Sequence, residues 1–196
     1  MMTVAPPGYT YGQSDVSHSP VTMQDLDELK ASVLWGDADA AALARAGAIL
    51  IPQTDDILDV WYGFVGSHPH LVSTFSGADG RPNPEYLAAV RKRFGMWIAD
   101  LCTRPYDQEW LDYQEEIGRR HTPQGKNRTD GVASASPHIP MRHLIAFVVP
   151  ITATIKPFLA SSASSSDELD AMHQAWFKAV TLTVALWSRP YNTELW

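Results

Sequence analysis

A single histidine, His121, lies at the end of a run with helical periodicity, just before a Pro- and Gly-containing break. Trp110, Gln114, Ile117 and His121 recur at helical spacing, which predicts that they share one inward face. A histidine there can cap the helix by bonding its last carbonyls, or it can bind a metal ion through one ring nitrogen. The helix alone leaves both interpretations open.

Flat apolar side chains in the other predicted helices favour metal binding. One histidine in an all-α pocket lined with aromatic rings is the ligand set of haem iron. Gly118, one turn before His121, predicts room for a flat group to approach the helix backbone. Closely spaced His and carboxylate clusters that would bind another metal are absent from the sequence. The facing aromatic residues are Trp61, Tyr62, Phe75, Phe94, Trp97 and Phe147.

The elements that must position these residues are predicted to be about eight helices, with no sheet, as in a globin. Residues 1–21 form an irregular arm, Thr22 begins a short helix, and Asp37 caps the Ala-rich second helix. Longer amphipathic helices follow, and the last two are strongly apolar. The final helix is apolar nearly all round, which predicts that a partner covers one of its faces.

Composition excludes several classes of protein. The 196 residues are 45% hydrophobic, which suits one domain with a core, and the net charge of −7 argues against nucleic acid and anionic lipid. The lone cysteine, Cys102, excludes an internal disulfide and a multi-thiolate zinc site. No signal peptide and no run of roughly 18 apolar residues is apparent, so we expect a soluble cytoplasmic protein and no membrane span.

Long stretches of the chain resemble the protoglobins, single-domain haem proteins related to the sensor domains of globin-coupled sensors. The resemblance runs from Gly8 almost to the C-terminus, and ungapped runs of this length are far more specific than a short motif. The segments are "PGYTYG" (7–12), "WYGFVGSHPHL" (61–71), "NPEYLAAVRKRF" (83–94), "EWLDYQEEIGRRH" (109–121) and "AFVVPITATIKPFLA" (146–160).

This resemblance implies one domain over 1–196: a globin fold with an extra first helix and an arm that covers the haem edge. It implies haem b with His121 as the proximal iron ligand, and a distal wall of Trp61, Tyr62, Phe94 and Phe147 with Ile151 nearby. The chain departs from the family at Thr122 and Pro123, just after the ligand, and at His143, where the family usually has an aromatic residue. Other residues expected at the haem are Phe75, Trp97, Tyr113 and Ile117, with Arg93 or Arg104 at a propionate.

Tyr62 is the predicted hydrogen-bond donor to bound dioxygen, while Trp61 and Phe94 are expected to act as steric gates. The first hypothesis is a carrier, scavenger or sensor of O2, CO or NO. The second is a haem enzyme for NO dioxygenation, weak peroxidation or carbene transfer from diazo compounds; the third is a haem-free helical signalling module. No dinucleotide-binding motif is present, so a reductase would be a separate partner. We expect a homodimer through the last two helices.

Overall fold

The computed structural model describes residues 5–132, 136–194 and 196, and in these ranges it contains α-helices, short 3-10 turns and no strand. The predicted all-α class is therefore confirmed. The arm precedes the first helix; its residues 1–4 lie outside the described residues. The helices are α1 (Met23–Ser32), α2 (Asp37–Leu50), α3 (Thr54–Gly66), α4 (Pro69–Val72), α5 (Pro84–Thr103), α6 (Gln108–Arg119), α7 (Met141–Ala160) and α8 (Ser166–Ser188).

The first two helices begin with different caps. Thr22 begins α1 with a capping box, since its hydroxyl accepts from the Asp25 amide and the Asp25 carboxylate accepts from the Thr22 amide. The predicted cap of α2 is wrong by one residue. Gly36 occupies the cap position, Asp37 is the first helical residue, and the Asp39 carboxylate accepts from the Gly36 amide at 2.8 Å.

Helix α8 is the central element of the fold, and it packs most extensively against α7, α2 and α6. This explains why its sequence is apolar nearly all round. The prediction that one face of α8 needs a partner is therefore wrong, because its own chain buries most of that surface. Phe177 is its exposed large hydrophobic residue; those buried in the core include Met172, Trp176, Val180, Leu182 and Leu186.

The exposed apolar surface belongs instead to α7. Met141, Ile145 and Val149 follow one another at one-turn spacing and are 37%, 54% and 70% exposed. By length and composition α7 is also apolar enough to cross a membrane, although most of the qualifying segment is not buried within the chain. The same helix packs along α8.

The arm is fastened to α5 and α6 by side chains. Tyr9 donates a hydrogen bond to the Asp100 carboxylate of α5, and the Ser19 amide donates to Asp112 of α6 at 2.8 Å. Arg120, just after α6, donates to the Gly8 carbonyl at 2.6 Å. These contacts hold the first part of the chain against the same helices that carry the predicted site.

Candidate functional site

One cavity of about 240 Å³ lies between α3, α5, α6, α7 and α8 and the loop after α6. Its walls are mainly aromatic and aliphatic. Eleven residues expected at the haem line it, although they come from four helices, a 3-10 turn and the loop after α6. They are Trp61, Tyr62, Phe75, Arg93, Phe94, Trp97, Tyr113, Ile117, His121, Phe147 and Ile151.

His121 lies just past the helix on which the sequence placed it. Helix α6 begins at the Asp107 cap and ends at Arg119, and Arg120 is its C-cap. The Nδ1 atom of His121 lies 2.8 Å from the Ile117 carbonyl oxygen. A carbonyl only accepts, so Nδ1 carries the hydrogen and Nε2 keeps its lone pair. The Ile117 carbonyl thus fixes the tautomer, and the capping interpretation is confirmed, while Nε2 remains without this bond.

The surroundings of His121 hold the ring in place. The ring stacks on Trp187 with centroids 5.2 Å apart, and Trp187 Nε1 donates to the buried Gln114 Oε1 at 3.0 Å. The main-chain oxygen of His121 accepts from the Ile139 amide at 2.8 Å and from the Tyr191 hydroxyl at 3.3 Å. The indole and both of these contacts limit movement of the imidazole. We call His121, Ile117 and Trp187 the His121 wall.

Burial keeps this imidazole neutral. Desolvation lowers the pKa of His121 to about 4, outweighing the hydrogen bond that Nδ1 donates to the Ile117 carbonyl, which raises the pKa. The ring retains some accessible surface because it lines the cavity. A neutral imidazole with a fixed tautomer is the form that binds a transition metal.

Gly118 does not serve the cavity. A β-carbon there would lie 3.0 Å from Pro190 Cγ and 3.1 Å from Trp187 Cα. The missing side chain therefore admits the end of α8 and the following 3-10 turn, and the prediction that it admits a flat cofactor is wrong. The glycine acts indirectly, since close approach of α8 brings Trp187 against His121.

A second group of side chains, Trp61, Tyr62, Phe94, Phe147 and Ile151, forms what we call the Tyr62 wall. The buried Tyr62 hydroxyl has no hydrogen-bond partner in the described chain, and burial raises the tyrosine's pKa well above its ordinary value. It is therefore a protonated donor without an acceptor. Trp61 is different, because its Nε1 donates to Thr154 Oγ1 at 2.9 Å. The Trp61 ring therefore lines the cavity, but its N–H is already used and is not available to a ligand.

The predicted propionate partners lie differently from each other. Arg93 lines the cavity, but its guanidinium makes two bonds of 2.8 and 2.6 Å to Asp130 and one to the Pro7 carbonyl. Arg104 lies away from this cavity, bonded to Asp100. The prediction of Arg104 at the site is wrong, and Arg93 already has an anionic partner.

Two cationic residues of the site were missed by sequence reasoning. Arg120 lines the cavity beside the arm, and Lys126 is 3% exposed with its Nζ 5.4 Å from the centre of the Tyr86 ring. Desolvation lowers the pKa of Lys126 to about 8. The loop turns inward at Gly125, where a β-carbon would clash with the Arg119 carbonyl oxygen. Neither residue belongs to a periodic element, so no pattern marks them; Gly125 is the one available signal.

His143, whose role was left open, also lines the cavity. Its ring lies 5.4 Å from that of His70, which is exposed on α4. Desolvation lowers its pKa from the ordinary value. His143 is thus a second imidazole at the cavity, but among the described contacts it lacks the carbonyl bond that fixes the tautomer of His121.

These features fit a flat apolar group with a metal at its centre and anionic edges. The cavity has aromatic walls, a neutral imidazole with its lone pair on Nε2, and a hydroxyl that has no partner in the described chain. Three cationic side chains, Arg93, Arg120 and Lys126, also line it, together with the carboxylate of Asp130. Haem has this combination of an extended apolar ring, an iron that takes an axial imidazole and two carboxylates. No group of three or more His, Cys, Asp or Glu side chains that could hold a metal ion occurs in the described ranges.

Comparison with known proteins agrees with this geometry. The sequence model of the protoglobin family matches residues 22–196. The structure is similar to the globin domain of a globin-coupled sensor from Geobacter sulfurreducens, with a TM-score of 0.65 and 16% identity over 87% of this chain and 98% of that one. At that identity the likeness shows the globin fold alone. No protein with a curated description matches the sequence.

Proposed function

Because the chain belongs to the protoglobin family, we propose that it binds haem b in this cavity through Nε2 of His121. The observation that carries the proposal is the Nδ1 bond to the Ile117 carbonyl, which leaves the Nε2 lone pair of a neutral ring at an apolar cavity. Ferrous haem held by one imidazole supplies an open coordination position for O2, CO or NO. The protein is thus a gas-binding haem protein acting as carrier, scavenger or sensor.

Tyr62 is the hydrogen-bond donor for that ligand. Its hydroxyl is buried and protonated, and it lacks a partner within the described structure. A bound dioxygen carries partial negative charge, so the hydroxyl stabilises it by a charge-assisted bond. Trp61 and Phe94, whose rings lie 4.9 Å apart, limit the size of the ligand.

The carboxylates of the cofactor lie beside Arg120 and Lys126, although Arg120, like Arg93, also bonds a protein carboxylate, that of Glu116 at 2.9 Å. Arg93 fastens Asp130 to the arm through the Pro7 carbonyl. Residues 1–196 then act as one haem-binding domain, with the arm (1–21) at the cofactor's edge.

The direct test is a titration of the purified chain with hemin. We expect one haem per chain, a Soret peak, a five-coordinate ferrous spectrum and reversible changes on adding CO or O2. A colourless protein after hemin addition and gel filtration contradicts the proposal. A six-coordinate ferrous spectrum without gas contradicts the open coordination position alone.

Haem enzyme activity is the second candidate, and the apolar Tyr62 wall favours it. Such a pocket accommodates NO with bound dioxygen, or a diazo ester with an alkene, without a competing acid–base pair. Turnover of NO or of a diazo ester by the haem-loaded chain, against free hemin as the control, distinguishes this activity from gas binding alone. A separate reductase would supply the electrons.

The exposed face of α7 supports a homodimer, with α8 beside it contributing Phe177. Three apolar side chains in a row at one-turn spacing are costly to leave in water. We expect Val149→Lys to convert a dimer into a monomer in light scattering, while Leu34→Lys, at an exposed apolar residue outside α7, leaves the dimer unchanged. We also propose a cytoplasmic location, because Cys102 is a buried free thiol, which is typical of proteins in a reducing compartment.

A further inference from the structure

A buried tyrosine and a buried carboxylate form a pair that gas binding does not use. Tyr9, in the arm, donates to both carboxylate oxygens of Asp100, at 3.0 and 2.8 Å. The two residues are 8% and 3% exposed. Arg104 bonds the same carboxylate at 3.1 Å and favours its ionised form, whereas burial raises the pKa of Asp100. A phenol bonded to a buried base can lose its proton without solvent.

A third aromatic ring joins this pair to the cavity. Tyr113 lines the cavity, and its ring centroid lies 5.4 Å from that of Tyr9 and 5.2 Å from that of Tyr11. Both contacts are edge-to-face. Tyr9 thus lies one ring away from the cavity wall, on the arm.

Oxidation of tyrosine to a neutral radical needs both an electron acceptor and a proton acceptor. A phenol that loses an electron becomes a very strong acid, so a base within hydrogen-bond distance makes the electron transfer far easier. Burial and the Asp100 carboxylate hold the pKa of Tyr9 well above its usual value, so the phenol is fully protonated at rest. The proton leaves only together with the electron.

We propose that Tyr9 is a redox-active tyrosine that gives one electron, through the ring of Tyr113, to haem oxidised by a hydroperoxide, while its phenolic proton passes to Asp100. The proposal rests on the haem binding proposed above. One hydroperoxide takes up two electrons and two solvent protons and leaves as water and an alcohol. Tyr9 supplies one electron and a small reductant such as ascorbate the other. The reductant then restores Tyr9, with its proton returned by Asp100.

An alternative electron-transfer route, through Trp187 and Trp97, has no side chain that can accept a proton. Trp187 stacks on His121 and Trp97 lies 5.9 Å beyond it, but Trp97 Nε1 has no hydrogen-bond partner among the described residues. Trp187 Nε1 donates to an amide oxygen of Gln114, which is a poor proton acceptor. If one of these rings is oxidised, it has no base that can accept its proton, so it takes an electron from Tyr9 and the oxidation moves there. The effect is to carry oxidising equivalents away from the iron ligand to the arm.

The test uses the haem-loaded ferric protein, mixed with a small excess of hydrogen peroxide and frozen for electron paramagnetic resonance. We expect a tyrosyl radical that ascorbate removes. Tyr9→Phe and Asp100→Asn lower its yield severalfold, and Tyr113→Phe slows its appearance. Asp100→Glu, which keeps the carboxylate, restores most of the yield. Tyr106→Phe is the matched control, because its buried hydroxyl donates to the Leu101 carbonyl away from this cavity.

The Soret absorbance of each variant is measured first, so that haem loss is not mistaken for radical loss. A haem-loaded Tyr9→Phe protein with the wild-type radical yield overturns this inference and leaves the proposed function intact. A tryptophanyl signal in the wild type overturns it as well. Failure of the wild type to bind haem overturns both. An unchanged radical yield in Asp100→Asn overturns the assignment of Asp100 as the proton acceptor.

Discussion

The His121 wall and the Tyr62 wall face the same cavity but differ in how their polar atoms are used. In the His121 wall, Nδ1 of His121 bonds Ile117, Trp187 Nε1 bonds Gln114, and the His121 carbonyl accepts two further bonds. In the Tyr62 wall, the Tyr62 hydroxyl has no partner within the described chain. One wall is completed by the protein itself; the other keeps a polar atom available for a ligand.

This difference indicates that the His121 wall retains the cofactor and that the Tyr62 wall interacts with the bound ligand. A ring fixed by several bonds resists the small displacements that would weaken a metal bond. An unpartnered buried hydroxyl costs stability until a ligand accepts from it. Mutations should therefore separate the two walls, affecting cofactor retention in one and ligand lifetime in the other.

The largest expected effect follows removal of the imidazole. We expect His121→Gly to lose most of its haem on gel filtration, because the cavity's apolar contacts remain while the axial bond is gone. Added imidazole should restore the Soret peak by occupying the space of the lost side chain. The measurement is haem per chain from absorbance, with and without imidazole.

His143→Gly is the matched control, since it removes another imidazole from the same cavity. Its haem content should match the wild type. If both variants lose haem equally, the special role of the His121 wall is wrong.

Tyr62→Phe tests the other wall. Loss of a charge-assisted hydrogen bond of about 1.5–3 kcal/mol should speed dioxygen release roughly 10- to 100-fold. CO, which carries little charge, should be released at nearly the wild-type rate. Laser photolysis of the two ferrous complexes provides both rates, and an unaltered dioxygen rate would mean that the hydroxyl does not reach the ligand.

The sequence predicted the members of both walls except Trp187, because periodicity indicates which side chains of a helix face inward but not which cavity they reach. Trp61, Tyr62 and Phe94 follow that pattern, and the resemblance to a known family added His121 as the ligand. The neighbours and hydrogen-bond partners of these residues could not be predicted from the sequence. Lys126 sits in an aperiodic loop, and the bond from Trp187 to Gln114 joins two helices whose relative placement depends on packing.

The face expected to be exposed was also assigned to the wrong helix. An apolar circumference in α8 predicts either a partner or a central position, and sequence does not distinguish them. The structure has α8 in the centre, with α7, whose Val149 is 70% exposed, at the surface. Hydrophobicity alone cannot say which of two apolar helices is enclosed by the others.

Gln114→Met should destabilise the His121 wall by a moderate amount. It leaves the buried Trp187 N–H without an acceptor at nearly constant volume, which costs about 1–3 kcal/mol of unfolding free energy. Urea unfolding of the haem-free chain measures this. Gln108→Met, which removes a half-buried bond to Asp112 on the same helix, should cost less. Tyr62→Phe should cost nothing, because its hydroxyl bonds nothing within the described chain; a loss as large as that of Gln114→Met would erase the contrast between the walls.

The smallest expected effect is a pH dependence centred on Lys126. Its pKa falls from 10.5 to about 8 in the folded chain, so folding disfavours the ammonium form. Below about pH 8 the lysine is protonated in both states and the full cost applies; as pH rises from 8 toward 10.5, only the unfolded state keeps the proton and this cost disappears. Lys126→Met should therefore stabilise the haem-free chain at pH 7, and its advantage over the wild type should shrink by pH 10. Haem should reverse the order at pH 7, because a carboxylate beside the ammonium offsets its desolvation. Urea midpoints of both proteins at the two pH values, with and without hemin, test this; an advantage independent of pH would mean that the gain comes from packing alone.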